Sequence, residues 1–244
     1  TSFEKQVIFE FTGYKCNNCP EGAEEIASLI GKMGDTIIPI SVHSGYFAIP
    51  EPDGGKYVTD FRTTAGDELE AKFLPQGYPT AVINLKQFDN KYQQGRSSWQ
   101  TILRSEIDNA DANPPSITLK SSYSEESNTI IASAKVKFNN ASSFKHNLMF
   151  LLIEDGVIDV QLYGVNFLPE YEHKHVLRTA FGKTFGEKVN TDAVSSGDEF
   201  EVETSCFKLN KEWDLENCEV VGVLYKINSD NTFEVVQAQI VHVK

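Results

Sequence analysis

Two cysteines separated by two asparagines, Cys16 and Cys19, stand between a strand pattern and a helix pattern. Residues 6–11 form an apolar run that only Glu10 interrupts, which is typical of a buried parallel strand. After the cysteines, apolar residues recur at helical spacing up to Gly31 and Gly34, where a helix is expected to end. A Cys-x-x-Cys pair at such a junction is typical of a redox dithiol, and no other motif constrains the fold of this chain as strongly.

The following segments extend this pattern into an α/β sheet. Residues 36–42 are a second apolar strand, and the order strand, helix, strand implies a parallel pair joined by a right-handed crossover. Residues 80–85 predict a third strand, and residues 97–110 predict an amphipathic helix. The first half of the chain is therefore predicted to be an α/β domain.

An insertion separates the second predicted strand from the third. Residues 44–76 contain a Gly-Gly pair and prolines, and they show no clear period apart from a helix expected from Thr64. Segments of this length usually lie over a functional edge of a sheet. We therefore expect His43 and residues 60–62 to border the dithiol. A strand-end histidine such as His43 is more often a hydrogen-bonded structural residue than a catalytic one.

The periodicity changes at residues 111–115, where the sequence Asp-Ala-Asn-Pro-Pro ends a helix and stiffens the chain. The strands predicted beyond this point are residues 116–123, 129–138, 148–154, 199–209, 218–227 and 234–243. Short strands separated by polar turns are typical of a β-sandwich. Residues 157–190 are irregular and rich in Tyr and Gly, and we interpret them as a long loop or a hairpin. With 244 residues, the chain is predicted to form two domains, residues 1–112 and 116–244.

Charge and cysteine content restrict the partners and the compartment. A net charge of −13 argues against nucleic-acid or anionic-lipid binding, which needs clustered Lys and Arg. No apolar run approaches the ~18–20 residues that span a bilayer. Four cysteines in two close pairs suit an oxidising compartment. The sequence begins at Thr1 with neither an initiator Met nor an apolar targeting segment, as expected where a signal peptide has been removed.

The reactivity expected of Cys16 depends on where the helix begins. A helix N-terminus at the dithiol would stabilise the Cys16 thiolate and lower its pKa below the usual value of about 8.5. The residues Asn18, Pro20 and Glu21 also fit a capping box with Asn18 as the N-cap. In that case Cys16 lies outside the first turn and gains less from the helix dipole.

Metal binding is the competing use of paired cysteines. A structural zinc site needs four ligands, but the second pair, Cys206 and Cys218, lies in the other predicted domain, and His43 is the only histidine of the first half. We therefore expect no metal and no dissociable cofactor. Two alternatives stay open for Cys206 and Cys218: a disulfide between successive strands of the sandwich, or two inert buried thiols.

Two segments of the first half carry a resemblance to thioredoxin-like proteins. Residues 7–19 resemble the first strand and active-site dithiol of that family, and residues 77–83 resemble its cis-proline strand. The resemblance implies that the bond between Tyr78 and Pro79 is cis, that the proline faces the dithiol, and that the Tyr78 backbone binds a substrate chain. The alternative is an ordinary trans turn.

The resemblance also gives a role to the carboxyl group in the first strand. Glu10 falls where the family keeps a buried acidic residue beneath its second cysteine, here Cys19. Burial would raise the pKa of Glu10 towards neutrality, so that it accepts the Cys19 proton. The alternative is that Glu10 pairs with a lysine or points to solvent at a sheet edge.

Motifs in both halves carry a second resemblance. They are residues 11–13, 16–20, 38–43, 59–62, 77–80, Trp213, 220–223 and 235–238. With these motifs the whole chain is similar to the outer-membrane protein 28 family of Bacteroidetes, exported proteins with a thioredoxin-like domain followed by an immunoglobulin-like one. The resemblance implies a periplasmic or outer-membrane location, with membrane contact through an N-terminal lipid anchor whose cysteine is not in this sequence.

Two functional hypotheses follow. The first is a thiol–disulfide oxidoreductase or dithiol carrier acting on protein thiols or disulfides, with Cys16 as the attacking sulfur and Cys19 as the resolving one. Glu10 would move the proton, and Tyr78 and Pro79 would position the substrate backbone. The second is a non-catalytic scaffold or binding protein of the outer membrane, with a structural disulfide between the two cysteines. An exposed Cys16 sulfur favours the first hypothesis, and a fully covered sulfur pair favours the second.

Overall fold

The computed structural model describes residues 3–244. Over these residues the chain is mostly β-sheet with three α-helices. The helices are α1 (Cys19–Met33), α2 (Thr64–Phe73) and α3 (Arg96–Asp108). The strands are β1 (Gln6–Thr12), β2 (Ile37–His43), β3 (Thr80–Ile83), β4 (Gln93–Gly95), β5 (Ser116–Ser124), β6 (Thr129–Lys137), β7 (Lys145–Glu154), β8 (Val157–Tyr163), β9 (Asn166–His173), β10 (Val176–Ala180), β11 (Glu187–Asn190), β12 (Glu199–Glu203), β13 (Phe207–Lys208), β14 (Cys218–Ile227) and β15 (Phe233–His242). Over residues 3–244 no helix has the length and apolar character needed to cross a bilayer.

The predicted strand–helix–strand unit is confirmed. β1 and β2 are parallel, with Gln6 opposite Ile37 and Thr12 opposite His43. β1 also pairs antiparallel with β3, and every residue of these three strands is buried. The continuous burial explains why their sequences read as apolar runs rather than as alternating patterns.

Helix α1 begins late relative to the dithiol. Its N-cap is Asn18, and Pro20 occupies the first turn, where a missing N–H costs nothing. Ile26 and Leu29 are buried against the sheet, and Gly34, with a φ of 61°, ends the helix. Cys16 therefore lies outside the helix, which is the interpretation that expects less stabilisation of its thiolate.

Two packed sheets form the second half. β5, β6, β12 and β13 are antiparallel, with β6 at the centre. In β6 buried and exposed residues alternate, as in a sheet with one face on a core and the other in water. Ile130 and Val136 of β6 pack with Phe150 of β7 and Val220 of β14 in one apolar core.

The larger sheet runs across the predicted domain boundary. It has nine strands in the order β15-β14-β7-β10-β2-β1-β3-β4, with β11 paired to β7. β10 joins the halves, since Val176 lies opposite Ser41 of β2 and the Ser41 N–H donates to the His175 carbonyl at 2.8 Å. Strands from both sides of residues 111–115 thus share one sheet, and the boundary at residues 112–116 stays a prediction.

Residues 157–190 are more regular than the sequence indicates. β8 and β9 form a two-stranded hairpin, so the hairpin interpretation is right for this part. The loop interpretation is wrong for the rest, because β10 and β11 belong to the large sheet. Both are short and pair with β7 through irregular registers, which leaves little periodicity to detect.

Candidate functional site

The two cysteines at the end of β1 form a disulfide. Cys16 and Cys19 have Cα atoms 5.3 Å apart. The loop before α1 turns tightly, because the Cys16 N–H donates to the Gly13 carbonyl at 3.0 Å and the Cys19 N–H donates to the Cys16 carbonyl at 3.3 Å. Cys16 is 1% exposed and Cys19 is 2% exposed. Both sulfur-bearing residues are therefore covered, the outcome that favours the scaffold hypothesis.

The hairpin β8–β9 covers this loop through backbone hydrogen bonds. The Leu162 N–H donates to the Tyr14 carbonyl at 2.8 Å, and the Gly164 N–H donates to the Asn17 carbonyl at 2.8 Å. Val160, Leu162 and other apolar side chains of the hairpin also pack against the buried ring of Tyr14. A segment of the second half thus lies directly on the dithiol loop.

Gln161 holds the same loop with its side chain. Its Nε2 donates to the Cys16 carbonyl at 3.0 Å and lies 3.4 Å from the Gly13 carbonyl. Gln161 is itself buried. A buried amide that pairs with the carbonyl of a cysteine is a positioning contact, because leaving either group unpaired in this interior would cost about 1–3 kcal/mol.

The insertion covers the loop from another side. The Lys15 N–H donates to the Phe47 carbonyl at 3.1 Å. A Cβ at Gly13 would lie 2.6 Å from the Phe47 carbonyl carbon, so only glycine permits this approach. The Tyr14 ring contacts Tyr57 and Phe61, with centroids 5.1 and 5.7 Å apart. The insertion therefore lies at this edge of the sheet, as the sequence predicts.

The three residues 60–62 divide between the core and the surface. Phe61 is buried and contacts the His43 ring, with centroids 4.8 Å apart. Asp60 and Arg62 form an ion pair at 2.7 Å on the protein surface. The Arg62 side-chain hydrogen bond lowers the pKa of Asp60. Only Phe61 of this segment reaches the interior beside the dithiol loop.

Pro79 contacts helix α1 one turn after the dithiol. The bond between Tyr78 and Pro79 is cis, as predicted. A Cβ at Gly22 would lie 2.8 Å from the Pro79 Cβ and would also meet Glu10 Oε1. Glycine at this position lets the proline strand and the carboxyl group approach the helix just after Cys19.

The Tyr78 side chain is held by hydrogen bonds of its hydroxyl and by aromatic contacts of its ring. Its hydroxyl lies 2.7 Å from Ser44 Oγ and donates to Glu70 Oε1 at 3.0 Å. The ring also contacts Phe11 and Phe47, with centroids 6.5 and 5.6 Å apart. A substrate-binding role for Tyr78 therefore concerns its backbone, as the family resemblance implies.

Glu10 is buried in β1 without a cationic partner. It is 2% exposed, and its Oε1 has no hydrogen-bond partner. Ser41 Oγ approaches Oε2 at 3.4 Å, the limit of a weak hydrogen bond. Burial raises the pKa of Glu10 to about 8, and the Ser41 contact opposes that rise. The predicted rise is confirmed, and neither a lysine partner nor an exposed sheet edge is found at this residue.

Two histidines lie on the same face of the structure as Glu10. His43 is 3% exposed with an unpartnered Nδ1, and its ring centroid lies 5.3 Å from that of His173. Burial lowers the pKa of His43 well below its ordinary value, and His173 and Arg178 lower it further. Burial also lowers the pKa of His173 to about 4, although its Nε2 lies 3.1 Å from the Val160 carbonyl. Both imidazoles are therefore neutral at pH 7.

A cavity of about 430 Å³ lies between α1 and β9 and reaches these groups. Cys19, Glu10, His43 and His173 all line it. The sequence analysis did not single out His173 or Gln161. The signal available for Gln161 is a short alternation in residues 158–162, in which Asp159 and Gln161 alternate with apolar residues, and no comparable pattern marks His173.

A buried ion pair lies beside this cavity. Arg178 Nε donates to Glu154 Oε2 at 2.6 Å, and both side chains are almost fully buried. The Arg178 guanidinium also lies 5.5 Å from the Phe61 ring centroid and 5.4 Å from that of Trp213. The pair satisfies its own charges, so its positive charge acts on the nearby histidines without serving as an open anion site.

The second cysteine pair forms no disulfide. Cys206 and Cys218 are both free, so a bridge between them is a wrong prediction. Cys206 is exposed in the segment between β12 and β13 of the smaller sheet, whereas Cys218 is buried at the start of β14 in the larger one. Successive strands of the sequence lie in different sheets here, so spacing alone misleads. The alternative of two inert buried thiols is right for Cys218 and wrong for Cys206, which is exposed. Burial raises the pKa of the Cys218 thiol to about 12.

Metal-binding geometry is absent from the part of the chain that the structure describes. Residues 3–244 contain no group of three or more His, Cys, Asp or Glu side chains arranged to hold a metal ion.

The chain matches one protein family and is similar to several solved structures. The family described as outer membrane protein Omp28 matches residues 66–244. No curated protein matches the chain. HBP35 of Porphyromonas gingivalis is similar with a TM-score of 0.69 and 15% identity, over 100% of this chain and 76% of that one. Protein AGR_C_4864 from Agrobacterium tumefaciens is similar with a TM-score of 0.56 and 14% identity, over 99% of this chain and 95% of that one. At these identities the likeness shows a shared fold.

Proposed function

This chain belongs to the outer membrane protein Omp28 family, and we propose that it is an exported thiol–disulfide oxidoreductase or dithiol carrier associated with the outer membrane. Its partners would be protein thiols or disulfides. In this proposal the region around β1, α1, β2 and β3 is a thioredoxin-like domain, and the second half is an immunoglobulin-like one. A lipid anchor N-terminal to the sequence would provide the membrane contact.

The observation that carries the proposal is the unpartnered carboxyl group behind the disulfide. Glu10 Oε1 has no hydrogen-bond partner, and Gly22 leaves room for it against α1, one turn after Cys19. A structural disulfide needs no such group, and burying an unsatisfied carboxyl costs folding free energy. Local rules are usually broken in this way where a residue has a chemical task.

The proposed thiol–disulfide exchange depends on the pKa of Glu10, which burial raises to about 8. In the reduced protein the Cys16 thiolate attacks a substrate disulfide, which forms a mixed disulfide and releases one substrate thiolate. The Cys19 thiol then loses its proton to the Glu10 carboxylate, which is the minor form of that group at pH 7, and attacks the Cys16 sulfur. The second substrate thiolate leaves and the Cys16–Cys19 disulfide forms, so that two electrons pass to the substrate. Oxidation of a substrate dithiol is the same sequence reversed.

The hairpin has to move before a substrate sulfur can reach Cys16. Leu162, Gly164 and Gln161 hold the loop through three hydrogen bonds of 2.8–3.0 Å. Breaking them exposes the loop without disturbing the large sheet, because β8 pairs only with β9 among the described strands. The proposal therefore includes opening of the hairpin as a step that precedes exchange.

A second candidate function is favoured by the burial of both cysteines. If the hairpin does not open, the disulfide is a structural staple in an outer-membrane-associated scaffold or binding protein. The low exposure of Cys16 and Cys19 supports this candidate directly. The two candidates differ in whether a trapped covalent partner can form.

Mixed-disulfide trapping tests the proposal. All variants carry Cys206→Ser, since the exposed Cys206 thiol would otherwise react on its own. Cys19→Ser is expected to accumulate a covalent complex with a disulfide-containing protein such as insulin, and Cys16→Ser is the matched control that should not. Replacing Gln161 with alanine should speed trapping, because it loosens the cover.

The hypothesis of a purely structural disulfide predicts the opposite result. It expects no trapped complex from Cys19→Ser at any reductant level, together with a loss of roughly 2 kcal/mol in the free energy of unfolding. Trapping through Cys16 would exclude the pure staple, and its complete absence in the presence of Gln161→Ala would exclude the oxidoreductase.

A further inference from the structure

The cavity between α1 and β9 has a polar end that the protein leaves unsatisfied. Glu10 Oε1 and His43 Nδ1 are the two buried side-chain atoms without a hydrogen-bond partner over residues 3–244, and both residues line this cavity. Glu10 of β1 lies opposite Ser41 of β2. Ser41 precedes His43 by two residues in the same strand, so the side chains of Glu10 and His43 are on one face of the sheet. Such groups are normally paired, and here a bound molecule would pair them.

The rest of the cavity is built for a short apolar chain. Ala23, Ile26, Ala27 and Ile30 of α1 form one continuous wall. The volume of about 430 Å³ falls in the range of small-molecule sites. Ala23 and Ala27 are exposed, so the wall leads from the surface down to Glu10.

The opening carries excess negative charge. Glu24, Asp155 and Glu172 line it with one lysine, Lys174, which already lies 3.6 Å from the Glu172 carboxylate. The whole chain has a net charge of −13, so the field at the opening attracts cations and repels anions. Tyr171 adds an aromatic ring, whose face also favours a cation.

We propose that this cavity binds a small amphipathic primary amine, with its ammonium group on Glu10 and His43 and its alkyl chain along α1. An ammonium has three donors, which match the Glu10 carboxylate, the acceptor nitrogen of a neutral imidazole and the Ser41 hydroxyl. An alcohol has one donor and no charge, and a carboxylate would face Glu10 with the same charge sign.

Binding of the amine should release a proton. Free Glu10 is mostly protonated at pH 7, because burial raises its pKa to about 8. The ammonium pairs with the carboxylate, so the Glu10 proton leaves to solvent while the ligand keeps its charge. The titratable groups that line the cavity around Glu10 are Glu24 from α1, His43 from β2, and Asp155, Tyr171, Glu172, His173, Lys174 and His175 from the second half. Burial lowers the pKa of all three histidines, and His175 Nδ1 already lies 3.2 Å from Asp155, so Glu10 dominates the pH dependence between pH 6 and pH 8.

Titration calorimetry of the oxidised protein with n-hexylamine tests the proposal, with n-hexanol and hexanoate as probes of the same length. At pH 8 the amine should bind at least about tenfold more tightly than the alcohol, with hexanoate weakest. Its affinity should rise about fiftyfold from pH 6 to pH 8, with release of close to one proton at pH 7.

Three variants separate the site from the background. Glu10→Gln removes the anion, and Ala27→Leu fills the exposed wall without touching the core, so each should weaken the amine at least about tenfold. Glu25→Gln removes a carboxylate of α1 that does not line the cavity and should leave the affinity unchanged. Equal affinity for amine and alcohol, unchanged binding by Glu10→Gln, or no binding below about 10 mM would overturn the proposal. None of these results depends on thiol exchange, so the redox proposal stands or falls separately.

Discussion

The two faces of the β1–β2 pair lie within one sheet and yet have opposite character. The face towards α2 is entirely apolar and comprises Val7, Phe9, Phe11, Ile38, Ile40 and Val42. The face towards α1 is mixed at one end, with Gln6, Ile8, Ile37 and Pro39, and polar at the other, with Glu10, Thr12, Ser41 and His43. Because one face supplies a continuous core, the other can carry unsatisfied groups at a cost the fold tolerates. Glu10 and His43, two of the functional candidates, lie at the polar end of that second face.

The largest expected effect belongs to the apolar face. Phe9→Ala removes a fully buried ring from the α2 side and should lower the free energy of unfolding by about 3–5 kcal/mol. Denaturant unfolding measures this. Phe3→Ala, at a ring that is 45% exposed, is the control and should cost less than about 1 kcal/mol. Similar losses in the free energy of unfolding for Phe9→Ala and Phe3→Ala would show that the apolar face does not supply the continuous core.

The next effect belongs to Glu10 and depends on pH. Its pKa is about 8 in the folded protein against 4.5 when unperturbed, so the folded state binds the proton more tightly. Its contribution to stability is therefore complete below pH 4.5 and is lost as the pH rises to about 8, on the order of 1.4 kcal/mol per pH unit. Glu10→Gln cannot titrate, so relative to wild type it should gain a few kcal/mol at pH 8 and nothing at pH 4.5.

Unfolding curves of wild type and Glu10→Gln across this pH range provide the measurement. Glu25→Gln on the outer side of α1 should follow wild type throughout. A Glu10→Gln difference that does not change with pH would mean that the polar end of the face is solvated and resembles an ordinary surface.

Two glycines of α1 give a smaller, paired effect. Gly22→Ala places a Cβ against Glu10 and Pro79 and should cost about 1–3 kcal/mol through overpacking. Gly31→Ala, where a Cβ meets nothing within 4 Å, should stabilise the helix by up to about 1 kcal/mol. Thermal unfolding of the two variants side by side tests how tightly the polar face is packed. A gain at both positions would show that Glu10 and Pro79 do not press on the helix.

The smallest effect is expected from Ser41. Its hydroxyl lies 3.4 Å from Glu10 Oε2, so Ser41→Ala should cost less than about 1 kcal/mol. The pKa of Glu10 should rise further, because the Ser41 contact opposes the effect of burial. Carboxyl titration by NMR would detect the change, and a fall in that pKa would contradict this account of the polar face.

The sequence predicts the local parts of this site well. The strand that contains Glu10 and helix α1 follow from short-range patterns, whereas the cis bond before Pro79 is expected from the family resemblance. These patterns survive because burial on both faces of β1 and β2 demands continuous apolar runs. The residues that directly follow these apolar runs in the sequence are then the ones that lie at the ends of β1 and β2.

The parts that join distant segments could not be predicted in this way. Gln161 and His173 reach the dithiol region through a hairpin whose own strands alternate only weakly, and nothing near Cys16 in the sequence marks its partner. The placement of Cys206 and Cys218 in different sheets has the same cause, since strand pairing is decided by tertiary packing. The sequence therefore locates the reactive groups but does not predict that the β8–β9 hairpin covers them.

The hydrogen bond from Gln161 to the Cys16 carbonyl spans 145 positions of the chain, and this separation sets an order of events. Contacts between remote segments form after local ones, because loop closure costs entropy first. During maturation the two thiols are thus open to an oxidant before the second half closes over them. In the proposed function, the closed protein exchanges disulfides only when the hairpin opens, so the rate of hairpin opening would limit the rate of exchange.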